Sequence, residues 1–191
     1  FFTFLNELLM LGQMSLLERA NIILKVQFPR YIAILSALTS AVINLAINLI
    51  LVLIIAYFVK VDINAIRLGW LLVTIGITTV WGLGLAFITS ILTVYVRDLK
   101  NIIELGVFLM QYATPVFYDI NDAGLFENDL VRRVILWNPL TFLMNQFRSG
   151  VGVYGRIDEV QMAIIGLVGV VFTFVAYKYF NRAVKKVAES F

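Results

Sequence analysis

Residues 31–59 read YIAILSALTSAVINLAINLILVLIIAYFV, a run of 29 positions without one Asp, Glu, Lys or Arg. As a helix rising 1.5 Å per residue, this run is about 44 Å long. The hydrocarbon core of a bilayer is about 30 Å thick, so the helix must tilt or project beyond it. A second run of the same length, LGWLLVTIGITTVWGLGLAFITSILTVYV, fills residues 68–96 and is equally free of charge. Apolar stretches of this length signal transmembrane helices. Two of them decide the fold class: an all-α integral membrane protein.

Further candidate spans lie on either side. Leu99–Tyr118 carries Asn101 and Glu104 in its first turns and Pro115 near its end, and Val160–Phe180 is a fourth apolar stretch. Phe1–Leu17 is apolar but interrupted by Asn6, Glu7 and Gln13, and reads as the tail of another span. The expectation is four complete spans and one partial span in a single transmembrane domain, residues 1–191. The chain begins Phe1-Phe2-Thr3 with no methionine and no basic stretch before an apolar one. Nothing there reads as a signal peptide, and the sequence reads as a piece lacking its true N-terminus.

Composition agrees. Of 191 residues, 61% are hydrophobic and 14% charged, against about 45–50% and about 25% in soluble domains, which excludes a water-soluble globular protein. Cysteine and histidine are both absent. That removes disulfide scaffolds, thiolate or imidazole metal sites, catalytic triads and Cys–His pairs, so no metal site and no catalytic residue is expected. A net charge of +3 is too small to suggest nucleic-acid binding.

Where the charges fall sets the orientation. Nine of the 15 basic residues lie in alternate connections: Arg19, Lys25 and Arg30, then Arg97 and Lys100, then Lys178, Arg182, Lys185 and Lys186. The other six, Lys60, Arg67, Arg132, Arg133, Arg148 and Arg156, are spread more thinly, with Asp119, Asp122, Glu127, Asp129, Asp158 and Glu159 beside the later ones. By the positive-inside rule, the first set faces the cytoplasm and the segment 119–159 faces out. That outer segment is patterned. Asn138-Pro139 ahead of Leu140, Leu143, Phe147 and Val151 reads as an amphipathic helix with Asn138 as N-cap, Pro139 in the first turn and Gly150 closing the end. Leu130, Val131, Val134, Ile135 and Trp137 suggest another, begun by Asn128 or Asp129. Short helices of this kind lie in the membrane interface or re-enter the outer leaflet.

The spans hold little chemistry. Glu104, in the first turns of its helix near Lys100, reads as an interfacial anchor. The lack of clustered ionisable groups argues against an embedded enzyme or an ion-coupled carrier and points to a passive path or scaffold powered from elsewhere. Gly82 and Ala86 form a small-xxx-small pair, with Gly84 between them, that suits close helix packing. Phe108, Tyr112, Phe117 and Tyr118 fall on one side or near the end of the Leu99–Tyr118 stretch. They fit either an interfacial aromatic belt or a surface over which sugar rings slide. Pro115 frees the carbonyl of Gln111 and predicts a kink.

Four motifs in order resemble the membrane subunits of type-2 ABC exporters. Ala20-Asn21-Ile22-Ile23-Leu24-Lys25-Val26-Gln27-Phe28-Pro29-Arg30 is similar to that family's N-L-I-K-K-V-x-F-P-R segment, although Leu24 and Gln27 stand where a basic and an aromatic residue are common. Tyr95-Val96-Arg97-Asp98-Leu99 resembles its F/Y-R-D turn. Thr114-Pro115-Val116-Phe117-Tyr118 resembles S/T-P-(V/I)-x-Y, and Asn138-Pro139-Leu140 with Phe147-Arg148 resembles N-P-(M/L)…F-R.

The resemblance covers essentially the whole chain and implies a protomer of six spans. The N-terminal interface helix, the first span and part of the second would be missing here. It also implies a homodimer with a channel between protomers, and two separate cytoplasmic ATPase subunits that bind ATP and magnesium. This chain has no phosphate-loop motif and no cofactor of its own. Ala20–Arg30 would be the coupling helix. The pattern is most like the branch that exports lipid-linked polysaccharide, such as O antigen or wall teichoic acid, across the bacterial cytoplasmic membrane. Alternatives are a drug, antibiotic or lipid exporter of the same fold, or a membrane scaffold or enzyme of glycan assembly.

Overall fold

The computed structural model describes residues 1–18, 31–61, 64–96, 98–118, 133, 135–152 and 157–189. Among these residues the structure is helical, without strands. Six helices follow in order: α1 (Phe2–Glu18), α2 (Tyr31–Phe58), α3 (Ala65–Tyr95), α4 (Leu99–Ala113), α5 (Pro139–Val151) and α6 (Glu159–Glu189). Helices α2, α3 and the Glu159–Val184 part of α6 are long and apolar enough to cross a membrane.

Helix α3 is the hub, packed against α1, α5 and α6, and α2 joins the bundle chiefly through α1. Small residues make the close crossings possible. A Cβ at Gly12 would sit 2.6 Å from Ala86 Cβ, and one at Gly82 would sit 2.5 Å from Leu8 Cδ2. Gly12 lets the α1 backbone approach Ala86 of α3, and Gly82 makes room on α3 for the Leu8 side chain of α1. On the α6 side of α3, Gly84 faces Phe172 and Thr173, while Gly169 of α6 leaves room for the Trp81 indole. Trp81 stacks on Phe172 with 5.3 Å between centroids and donates its indole N–H to the Ile165 carbonyl at 3.1 Å.

Polar residues inside α3 are satisfied within the helix. The hydroxyls of Thr74, Thr78, Thr79, Thr89 and Thr93 each donate to the carbonyl four residues earlier. A hydroxyl without such a partner would be costly in an apolar interior. Two apolar clusters complete the core. Phe4, Leu8, Ala41 and Leu45 join α1 to α2. Leu16, Ile34, Phe87, Ile91, Phe180 and Val184 join α1, α2 and α3 to the later half of α6.

Several sequence expectations are corrected. The stretch Leu99–Tyr118 is not a complete span. Its helix ends at Ala113, and 15 residues make only about 22 Å. Pro115 does not kink it but ends it: Thr114, the residue before proline, is extended at φ −98°, ψ 138°, as that position prefers. Helix α3 starts at Ala65, earlier than the apolar run, because Asn64 caps it and accepts from the Arg67 amide at 3.2 Å. Asn138 does cap α5, accepting from the Leu140 amide at 3.0 Å with Pro139 in the first turn. Its end is closed by Gly152 at φ 91°, not by Gly150, where a Cβ would lie 3.0 Å from Leu71 Cβ. Helix α2 ends at Phe58, and just beyond it Lys60 takes a left-handed φ of 58° while the Val61 amide reaches back to the Ala56 carbonyl.

Candidate functional site

Helix α4 has no buried residue, and its aromatic side chains form a row on an open surface. Phe108 and Tyr112, four residues apart, share one face of the helix and meet edge to face at 5.3 Å. Tyr112 and Phe117 continue the row at 6.0 Å across the turn that follows. All three rings are more than half exposed. Tyr118 closes the turn from behind, donating its hydroxyl to the Tyr112 carbonyl at 3.0 Å. The termination at Thr114-Pro115 brings Phe117 back beside Tyr112; a continuous helix would have carried it onward.

Two bonds from α5 hold this row in place. Arg148 Nη2 donates to the Val116 carbonyl at 2.9 Å, and Asn138 Nδ2 lies 3.8 Å from Met110 Sδ. The Thr114–Tyr118 turn and the Asn138…Arg148 helix, separate motifs in the sequence, thus meet in space. Helix α5 is itself fixed to α3 through the Trp70 indole N–H, which donates to Gln146 Oε1 at 2.9 Å, and through Gly150 on Leu71. Sequence reasoning missed Gln146 and Gly12. Neither is marked by its neighbours, since a lone amide or glycine in an apolar helix says nothing of what it faces.

Gly82 and Ala86 point toward α1 and Gly84 toward α6. Asp98 precedes α4 with no side-chain cap bond. Arg97 and the whole coupling segment, Ala20, Asn21, Ile22, Ile23, Leu24, Lys25, Val26, Gln27, Phe28 and Arg30, lie outside the described residues. The helix ends that flank the segment are placed: Leu16 and Ile34 share the core cluster with Phe180 and Val184 near the basic end of α6. Glu7, hard to place from sequence, accepts from Asn44 Nδ2 at 3.1 Å across α1 and α2.

The arrangement offers an exposed aromatic surface braced by a short helix, on a bundle built to sit in a membrane. Two O-antigen export system permease proteins RfbA of Klebsiella pneumoniae are each 26% identical to the chain over 179 residues, 92% of its length. The chain spans 66% of the length of each of these curated relatives. The sequence profile of the ABC-2 type transporter family matches residues 1–151. With the helical membrane fold that carries the match, the chain belongs to the ABC-2 type transporter membrane proteins.

Proposed function

We propose that this chain is the channel-forming subunit of an ATP-driven exporter that moves a lipid-linked polysaccharide across the bacterial cytoplasmic membrane. Two copies would enclose the path, and two cytoplasmic subunits would bind ATP and magnesium and act through Ala20–Arg30. The observation that carries the reading is the open row Phe108–Tyr112–Phe117 on a helix with no buried side chain. A row of rings gives each sugar a flat C–H contact without fixing it, so a long chain can slide. The similarity to permeases named for O-antigen export supports the same substrate class. The two helices that flank the coupling segment contribute Leu16 and Ile34 to one packed cluster, a firm base for transmitting motion from a partner subunit.

The test is surface glycan per assembled dimer. Tyr112→Ala removes an exposed ring and should leave protein level and ATPase association unchanged. Export should fall about fivefold, the scale of one aromatic contact of about 1 kcal/mol. Unchanged glycan per dimer would overturn the aromatic path and favour a lipid or drug substrate.

A further inference from the structure

A second concave surface lies away from the aromatic row, between the start of α5 and the first turns of α6. It encloses about 620 Å³, within the range of about 300–1,000 Å³ usual for small-molecule sites. Trp137, which is 89% exposed, and Phe142 give it flat apolar walls. Asn145 and Gln161 bring carboxamides, and Thr141 and the helix-capping Asn138 line it as well. Thr141 is 1% exposed, and its hydroxyl oxygen has no hydrogen-bond partner. Among the described residues, no Lys, Arg, Asp or Glu contributes to the lining.

We infer that this cleft binds a neutral hexosyl unit. A hexose presents two kinds of surface: a C–H face that lies on an indole or phenyl ring, and a rim of hydroxyls that both donate and accept. Carboxamides and a threonine hydroxyl also do both, so amide, hydroxyl and aromatic together match each part of the sugar. Competing ligands match less. A phosphate calls for an Arg, a Lys or free helix-start amides; the described lining residues include no cation, and the Leu140 amide is already bonded to Asn138 Oδ1. An acyl chain would leave the amides and Thr141 desolvated without partners. An interfacial tryptophan belt accounts for Trp137 but not for the amides gathered around it. The charge asymmetry assigns this end of the bundle to the outer side. The inference thus rests on the proposed reading for its place in export, as a position where a sugar is held after crossing. Sugar binding itself does not depend on that reading.

The experiment is equilibrium binding to the permease–ATPase complex in phosphatidylethanolamine and phosphatidylglycerol nanodiscs, read by tryptophan emission. The other indoles are bonded inside the protein, Trp70 to Gln146 and Trp81 to the Ile165 carbonyl, so a sugar-dependent signal should come from Trp137. Maltotriose should quench saturably in the wild type and have no effect in Trp137→Phe. Asn145→Ala should weaken binding about fivefold, as for one neutral hydrogen bond, with ATPase association retained. A second set of discs contains glucosyl diacylglycerol. Quenching by maltotriose in plain discs assigns the site to a passing glycan. A Trp137-dependent change only in the glycolipid discs assigns it to a glycolipid headgroup, and sugar recognition stands. No change with either sugar source, an equal change in Trp137→Phe, or a response to glycerol 1-phosphate in place of maltotriose overturns the inference. If Trp137 responds while Tyr112→Ala exports normally, the cleft binds sugar and the aromatic path is wrong, so the two failures stay separate.

Discussion

Helices α3 and α4 are neighbours in the chain, drawn from the same apolar residue types, and the protein uses them in opposite ways. Along α3, glycines and alanines admit other helices, hydroxyls turn inward to their own carbonyls, and Trp81 is clamped against α6. Along α4, no residue is buried, and a Cβ at Gly106 would meet nothing within 4 Å. The first is scaffold along its packed face, where Gly82, Gly84 and Trp81 meet neighbouring helices. The second is an open surface whose aromatic residues contact one another. The two helices differ in length and hydropathy, and also in what their small residues face.

The largest expected effect compares glycines on the two kinds of helix. Gly12→Val must push Cβ into Ala86, where the Cβ–Cβ gap would be 2.6 Å. Overpacking on this scale costs about 3 kcal/mol and should abolish monodisperse protein in detergent gel filtration. Gly106→Val should leave the protomer folded. If both variants behave alike, the contrast between packed and open helices fails.

A middle-sized effect probes the brace between them. Arg148→Ala removes the charged donor from the Val116 carbonyl, a bond worth about 1.5–3 kcal/mol. Amide hydrogen exchange over 110–118 should speed up at least tenfold while exchange along α3 stays unchanged. Uniform acceleration across the bundle would mean that α5 supports the fold as a whole and not the aromatic row.

The smallest effect has the opposite sign. Lys60 holds a left-handed φ of 58° just beyond the end of α2, a conformation that costs an ordinary residue about 1 kcal/mol and glycine nothing. Lys60→Gly should raise the melting temperature by a few degrees in a thermal scan in detergent. A fall would show that the lysine side chain makes a contact outweighing the strain.

Much of the scaffold was legible because hydropathy and charge act over whole helices. The runs at 31–59 and 68–96 became α2 and α3, and Asn138-Pro139 became the cap it resembles. What failed to show depends on single backbone groups. The apolar run Val116-Phe117-Tyr118 extends the hydropathy of α4 past its real end. A proline at 115 is compatible with either a kink or a stop, and the outcome turned on whether Thr114 went extended. Gly150 and Gly152 look equally suited to close α5; only the approach of Leu71 from α3 decides which is packed and which turns the chain. For the aromatic row, the four-residue spacing of Phe108 and Tyr112 was readable. The return of Phe117 to Tyr112 was not, because it follows from the stop.

The two bonds from α5 to the α4 region are ten residues apart on α5, about 15 Å along its axis. A rod fastened at one end swivels; a rod fastened at both ends carries its load by sliding. A shift of α5 along the bundle would therefore carry Met110 and Val116, which bracket Tyr112, as a common displacement. Loss of either fastening turns that displacement into a rotation and breaks the alignment of the rings.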